Sequence, residues 1–207
     1  MKKSPSSKLW LRRHVEDPYV QRSKREGYRS RAAYKLLEID ERDKLLKPGM
    51  IAVDLGAAPG GWCQVLGKRA VPNALVVAID LLEMPPVAGV TFIQGDFTHS
   101  RGLLALTEAL GGKKADLILS DMSPNLTGIA FTDQARSMAL AELALDFALH
   151  HMKPSGAFLV KIFQGDGYQE YVKTLKERFE KVVVRKPNAS RVESAEQYLL
   201  ARVLRPA

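Results

Sequence analysis

The segment Val53-Asp54-Leu55-Gly56-Ala57-Ala58-Pro59-Gly60-Gly61-Trp62 lies between an apolar run and an amphipathic one, so it reads as a glycine-rich turn joining a strand to a helix. Small residues let a backbone approach a ligand closely, and an exposed helix N-terminus offers amide groups to a carboxylate or phosphate. Carboxylates recur where the later apolar runs end. Asp80 follows Asp54 by 26 residues, a position at which a carboxylate accepts the ribose hydroxyls of an adenosine-type ligand. Asp96, in Gln94-Gly95-Asp96-Phe97, is placed to hydrogen-bond an exocyclic amine, and Asp121 ends a further run. Each alone is more simply a cap or turn residue. As a set, four successive strands finishing in Asp or Gly point to one ligand crevice along their carboxyl edge. Lys161 is a different signal, because it stands between Phe158-Leu159-Val160 and Ile162-Phe163. A snorkelling lysine at a strand end is the ordinary reading, yet charges inside so apolar a run are rare and generally paired.

The elements that must position these residues are also legible. From Met50 onward, short runs rich in Val, Ile and Leu alternate with longer amphipathic segments, the pattern of βαβ units around a mostly parallel sheet. This pattern predicts strands at 51–55, 75–80, 90–93, 116–120, 157–162, 181–185 and 198–204, and helices at 30–41, 62–71, 102–110, 132–152 and 168–179. In the longest helix, Met138, Ala141, Leu145, Ala148 and Met152 recur at spacings of three and four, which makes it core-facing. The last two strands leave no room for a helical crossover, which predicts an antiparallel pair. The expectation is an α/β fold with one seven-stranded, mostly parallel sheet, one antiparallel strand and helices on both faces.

The 207 residues, 46% hydrophobic and 26% charged, suit one globular domain with a short appendage. A single cysteine, Cys63, excludes a disulfide framework or cysteine-rich zinc site and predicts a reducing, cytoplasmic setting. His14, His99, His150 and His151 show no ligand spacing, so no metal is expected. Neither a membrane span nor a signal peptide is recognisable. The formal net charge of +8 falls entirely within residues 1–35, where 11 Lys/Arg face three acids. There Lys2, Lys3, Lys8, Arg12, Arg13, Arg22, Lys24, Arg25, Arg29 and Arg31 interleave with Trp10, Tyr19 and Tyr28, a pairing that phosphate neutralisation and base stacking both favour. A second basic cluster runs from Lys173 to Arg191 and includes Arg185 and Lys186. A polyanion is the natural partner; the plainer alternative is an arm that only aids solubility. The expected organisation is a basic, partly flexible RNA-binding arm over 1–30 and a single domain over 31–207, with no apolar stripe that demands more than a monomer.

Taken in order, Arg29-Ser30-Arg31-Ala32-Ala33-Tyr34-Lys35-Leu36, the Asp54 to Trp62 turn, Gln94-Gly95-Asp96-Phe97, Ser120-Asp121-Met122-Ser123-Pro124-Asn125, Val160-Lys161-Ile162-Phe163-Gln164-Gly165, Arg185-Lys186-Pro187, Ser190-Arg191 and Ser194-Ala195-Glu196-Gln197-Tyr198 resemble one family nearly end to end. It is the class I S-adenosylmethionine-dependent methyltransferases of the RlmE/FtsJ type. The resemblance implies a Rossmann-like class I methyltransferase fold, with S-adenosyl-L-methionine as donor and S-adenosyl-L-homocysteine as product. It implies transfer to the ribose 2′-hydroxyl of a uridine in the A-loop of 23S rRNA, in the large ribosomal subunit. The family's Lys-Asp-Lys-Glu tetrad falls on Lys35, Asp121, Lys161 and Glu196, with Lys161 as base or proton-steering residue. The family's cofactor contacts fall on Gly60, Trp62, Asp80, Asp96 and Asp121. RNA contacts are expected at Arg12, Arg13, Lys24, Arg25, Arg29, Arg31, Arg185, Lys186 and Arg191. Cys63 stands where relatives often carry Ser, and Glu193 is a rival to Glu196 that the Ser-x-Glu-x-Tyr spacing disfavours.

A methyl sulfonium is already activated, so such an enzyme has chiefly to align a ribose oxygen and manage its proton. A lysine serves as base only if its pKa falls from about 10.4 toward 7 or 8, which burial and a neighbouring ammonium supply. Lys35 is that neighbour in this reading, while Asp121 orients Lys161 and Glu196 holds Lys35. Three alternatives stand beside it: a transfer RNA 2′-O-methyltransferase of the same family, a nicotinamide-dependent oxidoreductase, and a non-catalytic ribosome-assembly protein. Absence of G-x-G-x-x-G argues against the oxidoreductase.

Overall fold

Val-, Ile- and Leu-rich segments too short for helices must pair their backbone polar groups with neighbours, and here they do so in one sheet. The computed structural model describes residues 15–70, 72–125 and 127–206, so Lys2, Lys3, Lys8, Trp10, Arg12 and Arg13 lie outside the described residues. Strands β1 (Ile51–Leu55), β2 (Leu75–Asp80), β3 (Val90–Gln94), β4 (Ala115–Ser120), β5 (Met152–Phe163), β6 (Phe179–Arg185) and β7 (Glu196–Leu204) run in the order β3-β2-β1-β4-β5-β7-β6. All neighbours pair in parallel except β7, which is antiparallel to both β5 and β6. The order reverses between β1 and β4, the place where open α/β sheets bind ligands.

Among the described residues six helices flank the sheet: α1 (Pro18–Glu26), α2 (Ala32–Asp43), α3 (Gly61–Arg69), α4 (Ser100–Leu110), α5 (Ala130–His151) and α6 (Tyr168–Arg178). Strand alternation sorts the core into two layers. Val53, Leu55, Ile118, Phe158, Val160 and Leu199 pack against α4, α5 and α6, whereas Ala52, Leu117, Leu119, Leu159, Tyr198 and Leu200 pack against α2 and α3. The expected α/β architecture is thus present, with its single antiparallel strand.

Three departures have local causes. β5 begins at Met152 rather than 157, because Met152 pairs with Ala115 across a register irregularity between Ala115 and Leu117. α1 was not among the expected helices, although Asp17 caps it through Tyr19 and Val20 N–H groups, Pro18 opens it and Gly27 closes it at φ 75°. The arm expected over 1–30 is also packed in its later part. Tyr19 donates to Glu38 Oε1 at 3.1 Å, Tyr34 donates to Glu26 Oε2 at 2.9 Å, and Arg31 pairs with Asp17, so α1 is fastened to α2.

The far end of α2 is fastened too. Arg185 donates from Nε and Nη2 to the two oxygens of Asp43, each at 2.7 Å, and Arg202 donates to the Asp43 carbonyl. This fork holds the Asp43 carboxyl below the usual carboxylate range. A depressed folded-state pKa gives stability that is present above the ordinary carboxylate pKa and lost as pH falls through the folded one. Asp43→Asn is therefore expected to lower Tm near pH 7 and to shrink the fall in Tm on acidification. Thermal melts of both proteins from neutral to acid pH check this, and parallel curves would contradict it.

Candidate active site

Because side chains alternate along a strand, Lys161 shares the face of Leu159, the face covered by α2 and α3. The antiparallel register sets Tyr198 opposite Lys161 and Glu196 opposite Phe163. Ser120 pairs with Val160, so Asp121, the next residue, comes level with Lys161. Helix α2, lying over this face, supplies Lys35.

The four residues form two linked ion pairs. Lys161 Nζ donates to the Asp121 carbonyl at 2.6 Å and lies 3.2 Å from Asp121 Oδ1. Lys35 Nζ lies 2.6 Å from Glu196 Oε1, which also accepts from Ser190 Oγ at 2.8 Å. Tyr198 joins the pairs: its hydroxyl donates to Asp121 Oδ1 at 2.7 Å, and its ring lies 5.6 Å from Lys35 Nζ. Burial works to raise the Asp121 carboxyl, but the charges of Lys161 and Lys35, with the Tyr198 hydroxyl, outweigh it and hold that carboxyl below its ordinary range. Burial beside Asp121 and Glu196 pushes the Tyr198 hydroxyl far above its ordinary value, so it stays a proton donor.

Along the same edge lie the carboxylates of Asp80 and Asp96 and the glycine turn. Asp80, at the end of β2, accepts the Ala58 N–H on Oδ2 at 2.9 Å and the Leu82 N–H on Oδ1 at 2.8 Å, which ties the glycine turn to the strand. Gly60 adopts φ 102°, and a Cβ there would stand 2.8 Å from Arg29 Nη1 and 3.0 Å from Met84 Sδ. Asp96, beyond β3, accepts from Thr98 N and Oγ1 at 2.8 and 2.6 Å and faces His99 Nδ1 at 2.7 Å, contacts that hold its carboxyl below its usual value. Gly102 lets α4 approach, since a Cβ there would meet the Asp96 carbonyl oxygen at 2.1 Å. The Trp62 side chain takes a structural place: it is buried, and its indole N–H donates to the Ala32 carbonyl at 2.7 Å.

Asp54 was read only as part of the turn, yet its side chain is buried near the end of β1. Cys63 Sγ donates to its Oδ2 at 3.2 Å, and its Oδ1 has no hydrogen-bond partner among the described residues. Burial pushes this carboxyl up to about 7, against the Cys63 hydrogen bond and with help from the Asp121 and Asp80 charges. Tyr198 and Ser190 were also not singled out as site residues. Tyr198 was findable, since Glu196 and Tyr198 two residues apart must share a strand face; the Ser190 contact depends on the turn between β6 and β7 and left no periodic trace.

The basic residues divide. Arg29 donates to the carbonyls of Pro85 and Pro86 at 2.6 and 2.8 Å, Arg31 pairs with Asp17 and donates to Ala189, and Arg185 is held by Asp43. Their guanidinium groups are engaged by partners of the fold, those of Arg29 at the surface. Lys24, Arg25 and Lys186 are exposed and Arg191 is half-buried, although Lys186 Nζ reaches the Ser194 carbonyl at 2.6 Å. Among the described residues no group of three His, Cys, Asp or Glu side chains is placed to hold a metal ion. No helix among them is long and apolar enough to cross a membrane.

A family model described as FtsJ-like methyltransferase matches residues 28–204. The chain is 58% identical over 205 residues to "Ribosomal RNA large subunit methyltransferase E" of Azoarcus sp. (strain BH72), spanning 99% of this chain and 100% of that protein. It is 52% identical over 205 residues to the protein of the same name from Pseudomonas aeruginosa, spanning 99% of each. A crystal structure described as a ribosomal RNA methyltransferase from Plasmodium falciparum superposes with a TM-score of 0.76 at 32% identity, covering 86% of this chain and 98% of that one.

Asp54 yields a pH signature opposite to that of Asp43. Between about 4, the usual carboxylate value, and its own value the folded protein holds a proton that the unfolded chain releases, so its contribution to stability falls as pH rises through that window. Asp54→Asn is expected to remove that fall, measured as Tm against pH on the ligand-free protein. An unaltered profile would contradict the assignment.

Proposed function

The chain belongs to the FtsJ-like methyltransferase family, and from that membership and the geometry above we propose that it transfers the methyl group of S-adenosyl-L-methionine to the ribose 2′-hydroxyl of a uridine in the A-loop of 23S rRNA, within the large ribosomal subunit. The observation that carries this reading is Lys161, buried in an apolar strand and fixed by two oxygens of Asp121 at the edge that carries the carboxylates.

This edge fits a cationic donor. Asp54, Asp80 and Asp121 interact electrostatically there, a concentration of carboxylates that a cationic ligand would offset. Asp80, Asp96, Asp121 and the backbone at Gly60 and Trp62 are the groups that would hold the donor. When bound, the donor supplies a methyl group already activated on a sulfonium. The protein's share is then orientation and proton handling.

Asp121 fixes Lys161 Nζ through its carbonyl and carboxylate, leaving donor capacity for a ribose oxygen. Glu196 and Ser190 hold Lys35 Nζ in place as a second cation over the Tyr198 ring. In this arrangement Lys161 steers the 2′-oxygen; to take up the hydroxyl proton it must first release one of its own. Lys24, Arg25, Lys186 and Arg191 are the described cations assigned to the RNA backbone, and residues 1–30 are assigned as an RNA-binding extension of a domain over 31–207.

The test is transfer of label from methyl-labelled S-adenosylmethionine to purified large ribosomal subunits, free ribosomal RNA and bulk transfer RNA. Wild type is expected to label the large subunit most strongly, at a 2′-oxygen, and Lys161→Ala to lower kcat by about 10²- to 10⁴-fold. Label confined to transfer RNA, label on a base, or no transfer to any of the three would overturn the reading.

A further inference from the structure

Ile129, the residue before α5, and Phe131, the second residue of that helix, are 62% and 74% exposed. Scattered apolar side chains on a surface are ordinary, but this pair sits on a braced tip. Asp133 Oδ1 accepts the Thr127 N–H at 2.7 Å and the Thr127 hydroxyl at 2.8 Å, and Asp133 Oδ2 accepts the Gly128 N–H at 3.1 Å. The Ile129 N–H donates in turn to Thr127 Oγ1 at 3.2 Å. These bonds fix a turn, with Gly128 at φ 83°, at the start of α5, where Ile129 and Phe131 are exposed.

The tip also stands at the rim of the active site. The loop leaves β4 at Asp121, and Gln134, one residue past Asp133, donates to the carbonyls of Phe163 and Asp166 at 3.3 and 2.9 Å. Phe163 lies two residues beyond Lys161 on β5. Since β6 runs parallel to β5, the turn carrying Lys186, Arg191 and Val192 leaves the same sheet edge on the other flank of β5. The edge therefore offers an apolar and aromatic tip on one side of Lys161 and cations on the other.

We infer that Phe131, with Ile129 beside it, is a stacking platform for an unpaired base of the substrate RNA adjoining the nucleotide that is methylated. This rests on the function proposed above and names how that site grips its substrate. An unpaired nucleotide has a flat π-face for an aromatic ring and a phosphate for the flanking cations. The facing cations favour RNA over an apolar protein partner.

Phe131→Trp provides the probe, read as emission above the background of Trp10 and Trp62 while a target-loop RNA oligonucleotide is titrated. Saturable quenching is expected. Phe131→Ala is expected to raise KM for RNA by about 5- to 100-fold with kcat and donor affinity kept, Phe131→Trp to restore KM and Phe131→Leu not to. If wild type transfers methyl to RNA but Phe131→Trp shows no quenching, or KM is unchanged in Phe131→Ala or restored by Leu, the platform is overturned and the proposed function stands. If wild type transfers methyl to no RNA, both fall. A concentration-dependent dimer in sedimentation that Phe131→Ala abolishes without changing KM would assign the tip to a second copy and overturn the inference.

Discussion

The Asp121 carboxylate faces Lys161, Lys35 and the Tyr198 hydroxyl at the edge of the sheet, and none of the four would be tolerable in that place without the others. A buried charge is costly unless it is paired and hydrogen-bonded. Lys161 is placed in an apolar strand because two oxygens of Asp121 receive its protons, and Asp121 is placed there because two cations and a hydroxyl surround it. Lys35 needs Glu196 in turn, and Glu196 takes a further bond from Ser190. The chain of dependence joins α2, β4, β5, β7 and the turn before β7, so the charges proposed to serve the chemistry also bind the architecture together.

That arrangement sets requirements on topology. Parallel strands β1 to β5 deliver Asp54, Asp80, Asp121 and Lys161 to one edge because each approaches it with its carboxyl end. Glu196 is the first residue of β7 and reaches the same edge only because β7 runs the other way. A parallel β7 would bring Leu204 there instead. The one antiparallel strand is therefore what completes the cluster, and the two-residue period then turns Glu196 and Tyr198 toward α2 together.

Much of this was legible in the sequence, in proportion to how local the cause was. Strand cores and long helices follow from hydrophobic period, and the recurrence of Asp at strand ends singled out the sheet edge where the structure brings those carboxylates together. Long-range partners left no such trace. The carbonyls and carboxylates that engage Arg29, Arg31 and Arg185 could not be read from the sequence, because they lie up to 158 residues away. Trp62 looked like a ligand contact, yet its indole N–H binds α2. The missed helix α1 is a different case: Asp17-Pro18 and Gly27 are local signals, obscured by the run of positive charge between them.

If Asp121 acts by orienting Lys161, the two side chains are one functional unit, and a double-mutant cycle on kcat tests that most directly. Asp121→Asn, Lys161→Ala and the double variant would be compared by single-turnover methyl transfer to large ribosomal subunits. The account predicts that the double variant is about as slow as the slower single one, the non-additivity of residues acting together. Losses that multiply independently would contradict it.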